Sequence, residues 1–351
     1  MMTFRKGRLR ELALPARTVR LMAEIAESKG RQQLYAKRAP QLLRALRAAA
    51  FVRGVECSAR VDGVTVAPDR LLSLIRGHIK PRNQSEKEIR GYARALTLIH
   101  AGAPQFYITP TFLRELHRTI LEDALEAGQW RTQDNRVDEF RKRKSATFFL
   151  QPISASEIPA AFEELCTSYR EVLHEGQVHP LLAVAALVFD FECLHPFRKG
   201  HIRVSYLLVL LGLYQHGFEI GRSISLEGYF EQSRQDYSNA LQLSSTGWQG
   251  GSPDLNPWLE YFFTVLRCAY QEFEQRAGEI ASPRGAKTVL VETAVDGFPS
   301  SFTFSELERT CPGVSRVVVY RVLRQLKRKG VVERANQGSQ VTWRRIRENL
   351  S

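Results

Sequence analysis

The sequence is poor in the features that mark secreted and metal-stapled proteins. It has five cysteines and three methionines in 351 residues. The cysteines are scattered without metal-like spacing, and an odd, dispersed set indicates reduced thiols rather than a disulfide framework. The first 20 residues carry charge but lack the apolar core of a signal peptide. We therefore expect a cytoplasmic protein.

Long hydrophobic runs are also missing. The two most apolar stretches, 181–191 and 204–214, are each shorter than the roughly 20 apolar residues that a membrane span needs. A polar loop separates them. They are typical of two buried core helices, and we expect no membrane partner.

Acidic residues are in deficit, 37 against 50 Lys and Arg, which gives a net charge of +13. The excess lies at the two ends: residues 1–54 hold 13 basic and 3 acidic residues, and residues 285–351 hold 12 and 6. A basic end can contact nucleic acid or an acidic partner. A solvated basic helix surface explains the N-terminal excess equally well. With 44% hydrophobic residues, the chain is long enough for two or three domains.

The loop between the two apolar runs has the composition of an anion site. His195 ends the first run, and a basic turn with Lys199 and Gly200 opens the second. The first amides of a helix lack intrahelical partners and lie at the positive end of its dipole. A basic side chain beside them would favour phosphate.

This loop resembles the signature of Fic (Fido-fold) proteins, His-x-Phe-x-(Asp/Glu)-Gly-Asn-Gly-Arg-x-x-Arg. Four positions match the signature and four differ. Lys199 stands in place of the carboxylate and His201 in place of the Asn. Ile202 replaces the second Gly, and Tyr206 replaces the second Arg. The matching residues are His195, Phe197, Gly200 and Arg203.

The resemblance implies transfer of a nucleotidyl group, usually AMP from ATP, to a hydroxyl of a target protein. It implies His195 as general base. The nucleotide-binding residues it implies are Lys199, Gly200, His201, Arg203, Tyr237 and Ser244. ATP is a possible ligand, but Mg²⁺ is not expected at the usual position, because Lys199 cannot bind it. Ile202 adds a β-branched side chain where Gly allows close phosphate approach.

A second resemblance concerns regulation. Ser58, Asp62 and Gly63 are similar to the inhibitory motif Ser/Thr-x-x-x-Glu-Gly/Asn, whose Glu reaches the second signature Arg in the family. Here the expected partner of Asp62 is Tyr206, so we expect that form of inhibition not to operate. Gly63 also fits a simple helix C-cap.

A basic turn followed by Thr147, Phe148, Phe149 and Leu150 predicts a β-hairpin. In the family this hairpin is the flap, which pairs through its main chain with a target protein. An ordinary two-stranded turn is the alternative. His117 lies in a Leu-His-x-x-Leu landmark, where packing in a helix is favoured over catalysis.

Periodicity and caps predict the helices. One covers 18–38 with Leu21, Ile25 and Leu34 on one face, and a second runs from Pro40 through Ala50. Further helices are predicted at 86–101, 110–121, 158–175, 225–244 (a pair), 256–276, 287–295, after Thr303 and at 315–329. Thr109 is the predicted N-cap of the second of these, and Ser154 and Thr303 are predicted to form capping boxes with the Glu three residues further on. Residues 282–286 are expected to be a linker.

The C-terminal pattern resembles a winged helix-turn-helix module, which many bacterial Fic proteins carry. Val318, Val322, Leu323 and Leu326 are expected to be buried. The side chains expected to reach DNA are Arg316, Tyr320, Arg321, Arg324 and Arg344. Such a module serves equally often in dimerisation or regulation, so those roles stay open beside DNA binding.

The sequence thus predicts a mainly α protein: an N-terminal helical region (1–100), a Fic/Fido core with a small β-hairpin flap (101–280) and a winged-helix domain (285–351). Three functions stay open. They are a Fic-fold binding or regulatory protein with weak, altered or lost catalysis, an active nucleotidyl- or phosphotransferase with Lys199 as phosphate anchor, and a DNA-binding regulator with the core as scaffold. A homodimer is compatible with each.

Overall fold

The structure is a computed structural model, and it describes residues 3–38, 40–64, 66–134, 153–278, 283–298, 301–311, 313–337 and 340–346. Helices dominate these ranges. The first six are α1 (Arg8–Glu11), α2 (Ala16–Arg38), α3 (Pro40–Val61), α4 (Pro68–Ile75), α5 (Gln84–Gly102) and α6 (Pro110–Leu121). The next six are α7 (Ile158–Glu175), α8 (Pro180–Leu194), α9 (His201–Gln215), α10 (Leu226–Gln232), α11 (Arg234–Ser245) and α12 (Asn256–Gly278).

The C-terminal unit, residues 283–346, combines three helices with a small sheet. Its elements are α13 (Pro283–Asp296), β1 (Ser301–Thr303), α14 (Phe304–Thr310), α15 (Arg316–Arg328), β2 (Val332–Gln337) and β3 (Gln340–Arg345). The strand order is β1-β3-β2, and both strand pairs are antiparallel. Trp343 of the central strand β3 pairs with Phe302 of β1 and with Arg334 of β2. The three helices and the β2–β3 hairpin follow the pattern predicted for this unit.

Helices α8 and α9 form the centre of the larger hydrophobic core. Every residue of α8 from Leu181 to Leu194 is buried, because the helix is apolar on all faces. The core also takes in residues of α2, α3 and α5, so the N-terminal helices and the predicted Fic core share one hydrophobic cluster. A second cluster covers the C-terminal unit and includes Ala45 of α3.

The N-terminal segment is fastened to α8 by a buried carboxylate. Asp190 accepts hydrogen bonds from the Thr3 backbone N–H and hydroxyl, both 2.8 Å, and from Trp248 Nε1 at 2.7 Å. Burial raises the pKa of Asp190 to about 6, although these donors act in the opposite direction. The contact places the start of the chain against the core.

Helices α5 and α6 cross at very short distance. A Cβ atom added to Gly91 would lie 2.3 Å from Thr119 O and 2.5 Å from Ile120 O. Only glycine fits there, and the crossing positions the start of α5 close to the signature loop described below.

Most predicted helices are confirmed, including the N-cap of Thr109 on Phe112 N–H and the capping boxes of Ser154 and Thr303. Several details are wrong. Leu34 is 56% exposed, and the helix from Pro40 continues to Val61 rather than ending at Ala50. The predicted linker is helical from Pro283. In α15, Val322, Leu323 and Leu326 are buried as predicted, but Val319 is buried in place of Val318, which is only partly buried. Strand β1 was not predicted.

All five cysteines are free thiols, and four of them are buried. Among the described residues, no helix combines the length and apolar character that crossing a membrane requires.

Candidate functional site

The signature loop, residues 195–203, joins α8 to α9 through two left-handed residues. His195 follows the last turn of α8 with φ +44°, and its N–H donates to Phe191 O at 3.1 Å. Gly200 precedes α9 with φ +71°, a value that suits glycine. No side chain caps the N-terminus of α9. Helix α9 therefore begins within the signature loop, directly after Gly200.

Arg131 holds the loop by its main chain. The Arg131 N–H donates to Pro196 O at 2.9 Å, and its Nε donates to His195 O at 3.0 Å. The Arg131 side chain is only 1% exposed, and burial lowers its pKa. These contacts fix the main chain on both sides of the His195–Pro196 bond.

His117 supports the other end of the loop. Its Nδ1 accepts from Gly128 N–H at 2.9 Å, so Nε2 carries the proton that is shared with Lys199 O at 2.8 Å. The ring stacks on Phe197 with centroids 4.0 Å apart. Burial lowers the pKa of His117 to about 4, against the opposing hydrogen bond to Lys199. The expectation that His117 is a packed helix residue is confirmed.

His195 belongs to a stack of three rings. Its imidazole lies 4.0 Å from that of His201, which in turn lies 4.7 Å from Phe191 at an interplanar angle of 4°. His201 Nε2 is 3.1 Å from Glu192 Oε2. Burial, the largest single effect, acts to raise the pKa of Glu192, but His201 together with neighbouring hydroxyl groups lowers it below its ordinary value.

His201 was predicted to bind nucleotide, and in the structure it is only 4% exposed. It faces Phe191 and Glu192 within the core, and its other stacking neighbour is His195.

Two carboxylates of the same chain pair with Lys199 and Arg203 of the loop. Arg203 donates from Nε to Asp62 Oδ2 at 2.7 Å and from Nη2 to Glu88 Oε2 at 2.9 Å. Lys199 Nζ donates to the second oxygen of Glu88 at 2.5 Å. We call these four residues the Arg203 clamp. Arg203 and Glu88 are each 1% exposed at the side chain.

Opposing effects set the protonation of Glu88. Burial acts to raise its pKa, but Lys199 and Arg203 act more strongly and hold it below the ordinary value. Glu88 is therefore a carboxylate between two cations. Sequence reasoning missed it, since it lies 115 positions before Arg203 and no local pattern marks it.

The expected partner of Asp62 was wrong. Asp62 pairs with Arg203, one helical turn before the predicted position, and Tyr206 stacks on Phe230 at 5.3 Å in the core. Gly63 ends α3 with φ +70°, which confirms the C-cap reading. The Ser58 hydroxyl donates to Val55 O at 2.9 Å and is fully buried.

The predicted base-binding residues lie in the packed core around α12. The Tyr237 ring packs edge-on against Trp258 at 5.3 Å, and burial raises the pKa of its phenol well above the ordinary value. Ser244 is fully buried, and its hydroxyl accepts from Trp258 N–H at 3.0 Å. The Ser244 hydroxyl is thus already hydrogen-bonded to the first turn of α12. The predicted flap, Thr147 to Leu150, lies outside the described residues.

The predicted DNA-reading residues differ in their availability. Arg316 is 3.5 Å from Glu308 and lies over the Phe304 ring at 5.1 Å. Arg344 donates to Glu333 at 2.6 Å. Arg321 and Arg324 are exposed on α15, and neither has an ion pair or hydrogen bond to a described residue.

Comparison with known proteins agrees with this geometry. The model of the Fic/DOC family matches residues 107–213, which span α6 to α9 and contain the signature loop. The chain therefore carries a Fic/DOC family domain. No curated protein matches the chain in sequence.

Solved structures extend the likeness beyond this domain. A Fic family protein from Desulfovibrio desulfuricans G20 superimposes with a TM-score of 0.61 at 18% identity, covering 97% of this chain and 99% of that one. A Fic domain containing signaling protein from Bacteroides thetaiotaomicron VPI-5482 gives 0.57 at 20% identity, with 76% and 99% covered. Fic-1 from C. elegans gives 0.56 at 16% identity, with 76% and 74% covered. At these identities the likeness establishes the fold, and the fold is that of Fic proteins.

Proposed function

We propose that this chain is a Fic-fold protein whose nucleotide-transfer chemistry is weak, altered or lost, and that it acts mainly as a binding or regulatory protein. The Arg203 clamp carries the proposal. A phosphate group at this loop needs the donors of Lys199 and Arg203, and Glu88 and Asp62 use those donors. Carboxylate and phosphate compete for the same charge-assisted hydrogen bonds.

The residues present do not fit a magnesium ion at the usual signature position. An ammonium, Lys199, stands where an acidic ligand is needed. The nearest carboxylate, Glu88, is shared between Lys199 and Arg203. The proposal therefore includes no metal at this position. It keeps ATP as the nucleotide to test, a target protein docked through 147–150, and a cytoplasmic location.

Transfer of label from α-labelled ATP, with Mg²⁺ or Mn²⁺, to the protein itself and to a cell lysate tests the proposal. The variants are His195→Ala and a repaired chain with Lys199→Asp, His201→Asn and Ile202→Gly. We expect no label with the native protein and labelling with the repaired chain. Labelling by the native protein that disappears in His195→Ala would overturn the proposal and establish a working transferase.

A DNA-binding regulator is the second candidate, and the exposed face of α15 favours it. Val317 is 77% exposed and Tyr320 48% exposed beside Arg321 and Arg324. Exposed apolar and basic side chains on one helix suit the major groove. Binding of a duplex should weaken steeply with salt. Arg321→Ala/Arg324→Ala should reduce it, while Arg328→Ala, an exposed residue at the end of the same helix, should change it little.

A further inference from the structure

A cleft of about 630 Å³ separates α4 from the C-terminal unit. One wall comes from the end of α4 and the residues that follow it, and the other from β1, α14 and β3. The volume lies within the range of small-molecule sites. It is far from the signature loop in the chain, and none of its lining residues belongs to the Arg203 clamp.

The cleft brings together cations from both walls. Arg76 and His78 follow α4, and Arg309 lies in the last turn of α14. All three are exposed, and none forms an ion pair or a side-chain hydrogen bond with another described residue. Glu306 is the one carboxylate among the described lining residues, and it accepts from the Thr303 N–H at 2.7 Å within a capping box. Basic charge is thus in excess there.

We propose that this cleft binds a small phosphate-bearing anion. Two arginines with uncommitted guanidinium groups match the oxygens of a phosphate, which they contact through paired N–H donors. The hydroxyls of Ser73 and Ser301 line the same cleft and add neutral donors. Because Arg76 and Arg309 come from opposite walls, a bound polyphosphate would join the C-terminal unit to α4.

Helix α4 connects this cleft to the Arg203 clamp. It starts six residues after Asp62, whose carboxylate holds Arg203. Arg70 of α4 donates to Glu86 of α5 through two bonds of 2.8 and 2.9 Å, and Glu88, the other clamp carboxylate, lies two residues further along α5. An anion that holds α4 against the C-terminal unit therefore acts on a helix that is linked to Asp62 through the chain and to the α5 segment of Glu88 through Glu86.

Isothermal titration with pyrophosphate tests the site in the full chain. We expect saturable binding by the native protein and by Arg328→Ala, a matched exposed arginine outside the cleft. Binding should weaken at least tenfold in Arg76→Gln/Arg309→Gln, since each lost guanidinium removes charge-assisted hydrogen bonds. Amide exchange in 68–75 should slow on binding in the native protein and not in the double variant.

Two further arms identify the source of the phosphate. Titration with ATP and with a short DNA duplex shows whether a nucleotide or a nucleic acid uses the same residues. Absence of saturable pyrophosphate binding, equal affinity in the double variant, or binding of the duplex alone would overturn the proposal. Because the substituted side chains are exposed, thermal unfolding should show all variants folded.

Discussion

Glu88→Gln should destabilise the protein by about 3 kcal/mol, because it removes the charge that holds two cations together. The native carboxylate accepts from Lys199 at 2.5 Å and from Arg203 at 2.9 Å, and both it and Arg203 are almost fully buried. A hydrogen bond to a charged group contributes about 1.5–3 kcal/mol and a neutral one about 0.5–1.5 kcal/mol. Glutamine keeps one neutral acceptor oxygen but no charge, so of these two carboxylates only Asp62 still pairs with Arg203.

Urea unfolding followed by circular dichroism measures this loss. Glu122→Gln is the matched control, because Glu122 also contacts two arginines, Arg90 and Arg94, but those arginines are 33% and 66% exposed. We expect less than about 1 kcal/mol there. A Glu88→Gln protein within about 0.5 kcal/mol of the native protein would refute the idea of a buried clamp.

The pH dependence of the same measurement gives a second check. The pKa of Glu88 in the fold lies below its ordinary value of 4.5. Its contribution is therefore complete above that value and is lost as the pH falls below it. The difference in unfolding free energy between the native protein and Glu88→Gln should shrink in acid. A difference in unfolding free energy that grows in acid would contradict a lowered pKa of Glu88 in the fold.

Three further predictions concern the packing around the site. His117 has a pKa of about 4 in the fold against 6.5 ordinarily. Up to about 3 kcal/mol of stability should therefore be lost as the pH falls from 6.5 to 4. Unfolding measured across this pH range should show a smaller loss for His117→Gln than for the native protein. Gly91→Ala should lower the stability by about 1–3 kcal/mol, because its Cβ would meet Thr119 O at 2.3 Å. Gly30→Ala, with open space at its Cβ, should not destabilise, and equal thermal midpoints for the two variants would contradict the close crossing. Cys268 is the one half-buried thiol, so it should react with a disulfide reagent first, and rapid reaction of all five in the native state would show that the core opens.

Much of the fold is readable from local chemistry. The capping residues Thr109, Ser154 and Thr303 start their helices where predicted, because the cap hydrogen bond spans only three residues. The prediction that Leu34 shares a buried face with Leu21 and Ile25 was wrong. Helical spacing gives the face of a helix that a residue occupies, but not how far the neighbouring helix extends along that face. Likewise the helix from Pro40 has no strong stop signal at Ala50, and it runs on until Gly63 ends it.

The sequence by itself determined the signature loop. His195, Gly200 and Arg203 lie in one stretch of nine residues, and an apolar run on each side predicts the helix that flanks it. Only the tertiary structure decided what those residues face. Glu88 of α5 and Asp62, the residue after α3, reach Arg203 from 115 and 141 positions away, and His201 turns into the core to meet Glu192. Local spacing sets which face of a helix a side chain occupies, whereas the charge it meets there depends on which distant helices pack against that face.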